Sequence, residues 1–377
     1  MVGLMVIASC SSEQEQEPKP EVKETAIAFS GNLTEEEVTR AETALEDITH
    51  TFYVWGYKND GYNEGTSQYT SYQLVIPGFT VNWVANTAGT TTSNSHDWEY
   101  VGQGTDQTIK YWDFTAKAYR FFGYALGTAT TDPATEPATV TAVGDSPVDV
   151  PTATEVTLTA DIDGSTEATR NAAPFFSELW FSTGNQELYS DKLFGKPVQL
   201  RFFKPFAKVR FMFMFSDGIS FTRKDLSNIS FHPTDNSNVP TKGKISAAYP
   251  LKGTAITQTW ITSVKGGVKS LDIDWYEANP SYTPGDALPT TYDNSPEHWY
   301  YVLPALVQGS YTIEVSVSGR QIQTAVVPAE YMSWKPGYEY TYKFKITEAG
   351  EVTFDLVQVA INGWNELTPV DHSVHNW

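Results

Sequence analysis

Ala207-Lys-Val-Arg-Phe-Met-Phe-Met-Phe215 places Val209, Phe211, Phe213 and Phe215 at every second position, with Lys208, Arg210, Met212 and Met214 between them. Successive side chains of an extended chain point to opposite faces, so a period of two marks a strand with one face on a core. The stretch therefore reads as one strand of a β-sandwich. Working outward, Thr51-Phe-Tyr-Val-Trp-Gly-Tyr57, Tyr72 to Ile76, Thr80 to Val84, Ile109 to Phe114 and Tyr119 to Ala125 share its aromatic and β-branched content. They are separated by turn formers such as Asn59-Asp60-Gly61 and Pro77-Gly78. Glu155 to Ala160 and Val198 to Phe203 continue the series, the latter ending at Lys204-Pro205. Further strands are expected at 229–231, 244–248, 271–275, 299–303, 311–317, 321–327, 338–346, 352–354 and 357–361. Short strands at this spacing, with no long amphipathic helix among them, predict an all-β chain of antiparallel sandwiches.

The chain has 377 residues, which suggests two domains of about 150 to 200 residues each. Residues 127–152, rich in Thr, Ala, Pro, Asp and Gly, read as a surface excursion, because a strand pattern resumes at Glu155. The expected division is an N-terminal domain over 26–192 and a C-terminal domain over 193–377. Aromatic residues make up 14% of the chain, with 21 Tyr, 20 Phe and 11 Trp, which suits wide apolar sheet faces. The formal net charge is −20 and no basic stripe is present, so a nucleic-acid partner is excluded.

Cys10 is the sole cysteine, so no intramolecular disulfide or cysteine-ligated cluster can form. Its setting gives it another meaning. Apolar Val2 to Ala8 leads into Ile7-Ala8-Ser9-Cys10, which resembles a lipobox whose cysteine receives lipid, although no Lys or Arg precedes it. Residues 1–10 are thus expected to be a lipoprotein signal. Residues 11–25, rich in Ser, Glu, Gln, Pro and Lys, cannot bury a core and read as a tether. Ala26 to Phe29 is a short strand candidate, and Thr34 to Ile48 holds a brief helical or irregular segment.

Several stretches taken together resemble the fimbrillin-like lipoproteins of Bacteroidetes, the family of type V fimbrial subunits, tips and anchors. They are Thr39-Arg-Ala41, Tyr111-Trp-Asp113 leading into Tyr119-Arg-Phe-Phe-Gly-Tyr124, and Leu200 to Val209. Later come Tyr300-Tyr-Val-Leu-Pro304, Trp334 to Tyr342, Val359-Ala-Ile-Asn-Gly-Trp364 and the terminal His372 to Trp377. Glu13 and Glu15 behind Cys10 resemble that group's surface-export signal.

The resemblance implies transthyretin-like sandwiches and an outer-membrane lipoprotein at the cell surface. It also implies assembly with other fimbrial subunits by strand exchange, after proteolysis between Arg40 and Ala41 frees the N-terminal segment. A host protein or glycan would be the adhesion target. Arg40 reads equally as a surface arginine beside Glu35, Glu36, Glu37 and Glu42. Val357, Val359, Ile361 and Trp364 read either as a donated strand or as the last strand of their own core.

No catalytic residue, cofactor or metal is assigned. None of the six His lies in HExxH, and neither GxSxG nor a Walker loop occurs. Asp161-Ile-Asp-Gly164 and Asp272-Ile-Asp274 lack calcium-loop spacing and read as solvated turns or strand edges. Trp98, Trp112, Trp260, Trp275 and Trp299 support the other reading kept open, a surface glycan-binding lipoprotein of a polysaccharide-utilisation system, if they are exposed instead of core.

Overall fold

A computed structural model describes residues 25–30, 51–83, 97–127, 140–143, 153–183, 195–219, 222, 225–273, 290–292, 299–305, 309–318, 321–361 and 370–373. The chain is all β, apart from the short helix Glu167–Ala172 and one 3-10 turn among the described residues. None of its helices there is long and apolar enough to cross a membrane. The expected segment at Thr34 to Ile48 lies outside the described residues.

The largest sheet runs Val198–Gln199, Phe29–Ser30, Asp97–Glu99, Gln73–Trp83, Thr51–Asn59, Ala118–Ala125, Phe175–Ser177, Phe202–Phe203, with Trp180–Thr183 also on Ala118–Ala125. Its first and last strands are the two halves of one stretch, so the sheet closes into a barrel. The sequence suggested a single strand over 198–203, but its halves hydrogen-bond to opposite ends of the sheet and are separate strands. Val198, Leu200 and Phe202 all point inward, joining Ile27, Phe29, Phe52, Val54, Trp98, Tyr100 and Phe121 in the barrel's core.

Alternation gives the barrel wall a second apolar face. Trp55, Tyr57, Phe122 and Phe176 point outward and meet a four-stranded sheet of Thr259–Val268, Val239–Pro250, Glu155–Asp163 and Thr141–Val143. Phe122 lies nearly parallel to Trp55, to Tyr57 and to Tyr249, with ring centroids 6.2, 6.0 and 4.2 Å away. Arg120 also points outward and is fully buried. It bonds to Asn59 and lies between the rings of Tyr69 and Phe181, 5.0 and 4.6 Å away. Burial holds its guanidinium down to about 10.

Val239–Pro250 pairs along its length with Glu155–Asp163, from Lys242 opposite Asp163 to Pro250 opposite Glu155. Sheet pairing therefore crosses the expected boundary between 192 and 193 here and again at 198–203. Beyond it, Ala207–Phe215 lies in the sheet Tyr300–Val302, Ala207–Phe215, Tyr338–Ile346, Val352–Ile361, Val370–Ser373. A second sheet, Leu271–Ile273, Leu226–Pro233, Tyr311–Val317 and Gln323–Val327, faces it across a core that includes Phe213, Phe231, Trp334, Tyr342 and Phe354. This is the sandwich that the alternation at 207–215 predicted. Its central pair is parallel, however, with Lys208 opposite Glu339 and Phe215 opposite Ile346.

Other departures from the sequence expectation have local causes. Pro77-Gly78 does not end a strand: Gln73–Trp83 is continuous through it, with shifts in register against Val54, Gly56 and Tyr57. Gly78 takes φ +64°, where a Cβ is disfavoured, so the pair makes a bulge. Residues 352–354 and 357–361 form one strand with a register shift opposite Lys343 and Phe344. Ile109 to Phe114 makes only a bridge from Tyr111 to Ala26. The excursion at 127–152 contributes the edge strand Thr141–Val143.

Candidate functional site

The most unusual feature of the barrel is where it keeps its N-terminal strand. Residues 25–30 do not lie on an open edge; they are threaded between neighbours on both sides. On one side Phe29 pairs antiparallel with Trp98 and Ala26 with Tyr111, and on the other Phe29 pairs in parallel with Val198. The Ile27 amide donates to the Lys110 carbonyl at 2.8 Å, Trp112 N–H to the Thr25 carbonyl at 2.9 Å, and Val198 N–H to the Ala28 carbonyl at 2.7 Å. A central strand of this kind leaves both rims of its slot with unpaired backbone groups if it is withdrawn.

The side chains are held as firmly as the backbone. Ile27 and Phe29 are fully buried in the barrel core, and Ala28 on the other face is 5% exposed. Phe29 meets Phe52, Tyr100 and Phe121 edge to face, with centroids 5.9, 5.8 and 6.0 Å away, the geometry favoured by ring quadrupoles. The Tyr100 hydroxyl donates to the Ile27 carbonyl at 3.0 Å and accepts from the Lys110 amide at 2.9 Å. Burial, against a partly compensating bond to Lys110, pushes this phenol up to about 12.

Cys10, Arg40 and Ala41 lie outside the described residues, as do Trp364, Trp275, His50, His96, His298 and His375. The run Val357, Val359, Ile361 belongs to the strand Val352–Ile361, paired with Tyr338–Ile346 on one side and Val370–Ser373 on the other. Val357 is buried and Val359 packs on the same core. Trp98 and Trp112 are core residues. Half-buried Trp260 is wedged between Phe176 and Phe203, and half-buried Trp299 lies under Arg210 at 4.6 Å.

Of the acidic pairs, Asp274 lies outside the described residues, and the other three carboxylates each have a partner. Asp161 binds Lys265 at 2.6 Å, Asp163 binds Lys242 at 3.2 Å, and Asp272 accepts from Ser270 at 2.6 Å. No group of three potential metal ligands converges among the described residues. Sequence reasoning picked out the strand at 26–29 but missed Tyr100, Lys110 and Val198 as its walls. The inward-facing aromatic pair of Trp98 and Tyr100 was the available signal, two residues apart in a run too short to register as a strand.

No family model matches this chain, and no curated protein matches it. Among solved structures, it is similar to a protein of Bacteroides uniformis assigned to cell adhesion, with 15% identity over 91% of this chain and 99% of that one, at a TM-score of 0.33. It is also similar to the tip fimbrial protein Mfa3 of Porphyromonas gingivalis, with 11% identity over 88% and 97% of the two chains, at a TM-score of 0.35. A fimbrial assembly protein of Parabacteroides distasonis shares 11% identity over 92% and 96%, at a TM-score of 0.29. Likeness at these scores supports no statement about binding. Of these three solved structures, one is assigned to cell adhesion and two are fimbrial proteins.

Proposed function

We propose that this protein is a structural or adhesive subunit of a cell-surface fimbria that assembles by β-strand exchange. The observation that carries the reading is the placement of residues 25–30 as an interior strand of a closed barrel, with Arg40 following ten residues later. A cut between Arg40 and Ala41 severs the strand from its barrel, leaving only non-covalent contacts to hold it. Its departure re-exposes Ile27 and Phe29, which contribute about 1.5 to 3 kcal/mol each in burial, and leaves buried backbone groups unpaired. An emptied slot is therefore unstable and takes up another strand by β-addition. Before the cut, lipid on Cys10 and the tether over 11–25 hold the subunit at the outer membrane. No reaction is assigned to it.

Within this reading, the domains expected at 26–192 and 193–377 are joined more closely than by a linker, since both supply strands to the barrel and to its covering sheet. Strand Val352–Ile361 already has partners on both sides, which favours its place in its own core over donation. An arginine-specific protease added to the lipid-free precursor should give chains beginning at Ala41 and a ladder of detergent-resistant oligomers. Uncut or strictly monomeric chains would refute strand exchange and return attention to a surface glycan binder.

A further inference from the structure

We infer that the slot selects its incoming strand by sequence, taking an extended segment with an aliphatic residue, a small residue and an aromatic residue in succession, and that Tyr100 fixes its register. This deepens the strand-exchange reading and rests on it. The pattern is that of Ile27, Ala28 and Phe29, and each position has its own wall. The Phe29 pocket is bounded by Phe52, Tyr100 and Phe121 within 6.0 Å, all edge to face, so a ring fits where an aliphatic side chain loses those contacts. Ile27 is fully buried in the same core. Ala28 points to the other face and is also buried, so a larger side chain there overpacks.

Backbone pairing alone tolerates a shift of two residues, because the inward and outward faces are then unchanged. The ring pocket that Tyr100 helps to wall removes that tolerance. Its hydroxyl, held in place by the Lys110 amide at 2.9 Å, donates to the strand backbone at the Ile27 carbonyl, 3.0 Å away. Its ring is also one of the three walls around Phe29. A strand displaced by two residues meets the same hydroxyl but puts a different side chain in the ring pocket. Tyr100 is in this sense a positioning residue that reads backbone and side chain together.

The test uses the full-length unlipidated chain, with a dye on the Cys10 thiol and a specific protease site placed within 35–40, so that cutting does not depend on Arg40. After the cut, release of the labelled fragment is followed by anisotropy in excess synthetic peptide covering residues 24–31. The native peptide should replace the fragment. Peptides carrying Phe29→Ala should bind at least about a hundredfold more weakly, and those carrying Ala28→Leu about five- to a hundredfold more weakly. In the Tyr100→Phe protein, release should speed up about three- to tenfold, the range for one lost hydrogen bond. A peptide with an ester in place of the Ile27–Ala28 amide, whose carbonyl is a poorer acceptor, separates the Tyr100 hydrogen bond from general loosening, and a peptide with its Ile-Ala-Phe pattern displaced by two residues, which should bind more weakly than the native one, tests the register. The ester should weaken binding more in wild type than in Tyr100→Phe, a coupling that a purely structural role would not give. Equal binding of all peptides, or no coupling, overturns the selectivity while leaving exchange intact. A fragment that no peptide displaces overturns both.

Discussion

Replacing Phe29 with Ala should lower the stability of the uncut chain by about 3 to 5 kcal/mol, the range for emptying a buried aromatic site. The residue has no exposed surface and three edge-to-face ring partners, so the surrounding wall can relax only partly. Loss of the ring also loosens the pairing to Trp98 and Val198, since Phe29 is itself the pairing residue on both sides. The urea midpoint should fall accordingly, and amides of residues 26–29 and Val198 should exchange with solvent well before those of Ala118–Ala125. A substitution at exposed Ile261 serves as a control and should stay within about 0.5 kcal/mol. A Phe29→Ala chain with an unchanged midpoint would mean that the N-terminal strand is not seated in the barrel.

The second large effect is alkaline unfolding. Burial pushes the hydroxyls of Tyr100 and Tyr124 up to about 12, and raises those of Tyr249, Tyr311, Tyr340 and Tyr342 well above their ordinary value. An unfolded tyrosine ionises near its ordinary value of about 10. The folded state thus keeps protons that the unfolded state gives up, and the stability these groups confer is complete below pH 10. As pH rises above 10, each of these six groups lowers the stability of the fold, and their effects add. Arg120 acts in the opposite sense, because its folded value is lowered to about 10, but it is one group against six. Tyrosinate absorbance at 295 nm should therefore show the exposed phenols titrating first, followed by a cooperative step coincident with loss of circular dichroism. Smooth titration of all 21 tyrosines near pH 10 with the sheets intact would contradict the burial described here.

Much of this architecture was legible in the sequence, and the exceptions follow one physical line. Alternation identified Ala207–Phe215, whereas aromatic and β-branched content identified Thr51–Asn59, Ala118–Ala125 and Tyr338–Ile346, of which Ala118–Ala125 is buried on both faces and so does not alternate. Which strands pair is a long-range property, and local pattern does not contain it. The parallel match of Lys208 with Glu339 and the split of 198–203 between two ends of one sheet both depend on closure of the whole. Thr259–Val268 was missed because Lys265, Gly266 and Gly267 mask an edge strand whose Ile261 and Val264 are exposed. Pro77-Gly78 looked like a turn because the same residues serve a bulge when the partner strand supplies the compensating shift.

For the site itself, composition and position pointed to Ala26 to Phe29, and the resemblance pointed to Arg40. What surrounds the strand could not be read, since Tyr100 and Val198 lie 73 and 171 residues from Ile27 along the chain. Tyr100 is an ordinary tyrosine until the fold places its hydroxyl against the Ile27 carbonyl.

The most direct test locks the strand in place. Ser30 and Gln199 are partners in the parallel pair, a spacing that suits a disulfide, so cysteines at both positions in a Cys10→Ser background should staple the N-terminal strand to its neighbour. Cut by the arginine-specific protease, the oxidised chain should remain monomeric, and adding reductant should let the oligomer ladder appear. A ladder of equal intensity with the disulfide intact would contradict assembly through this slot.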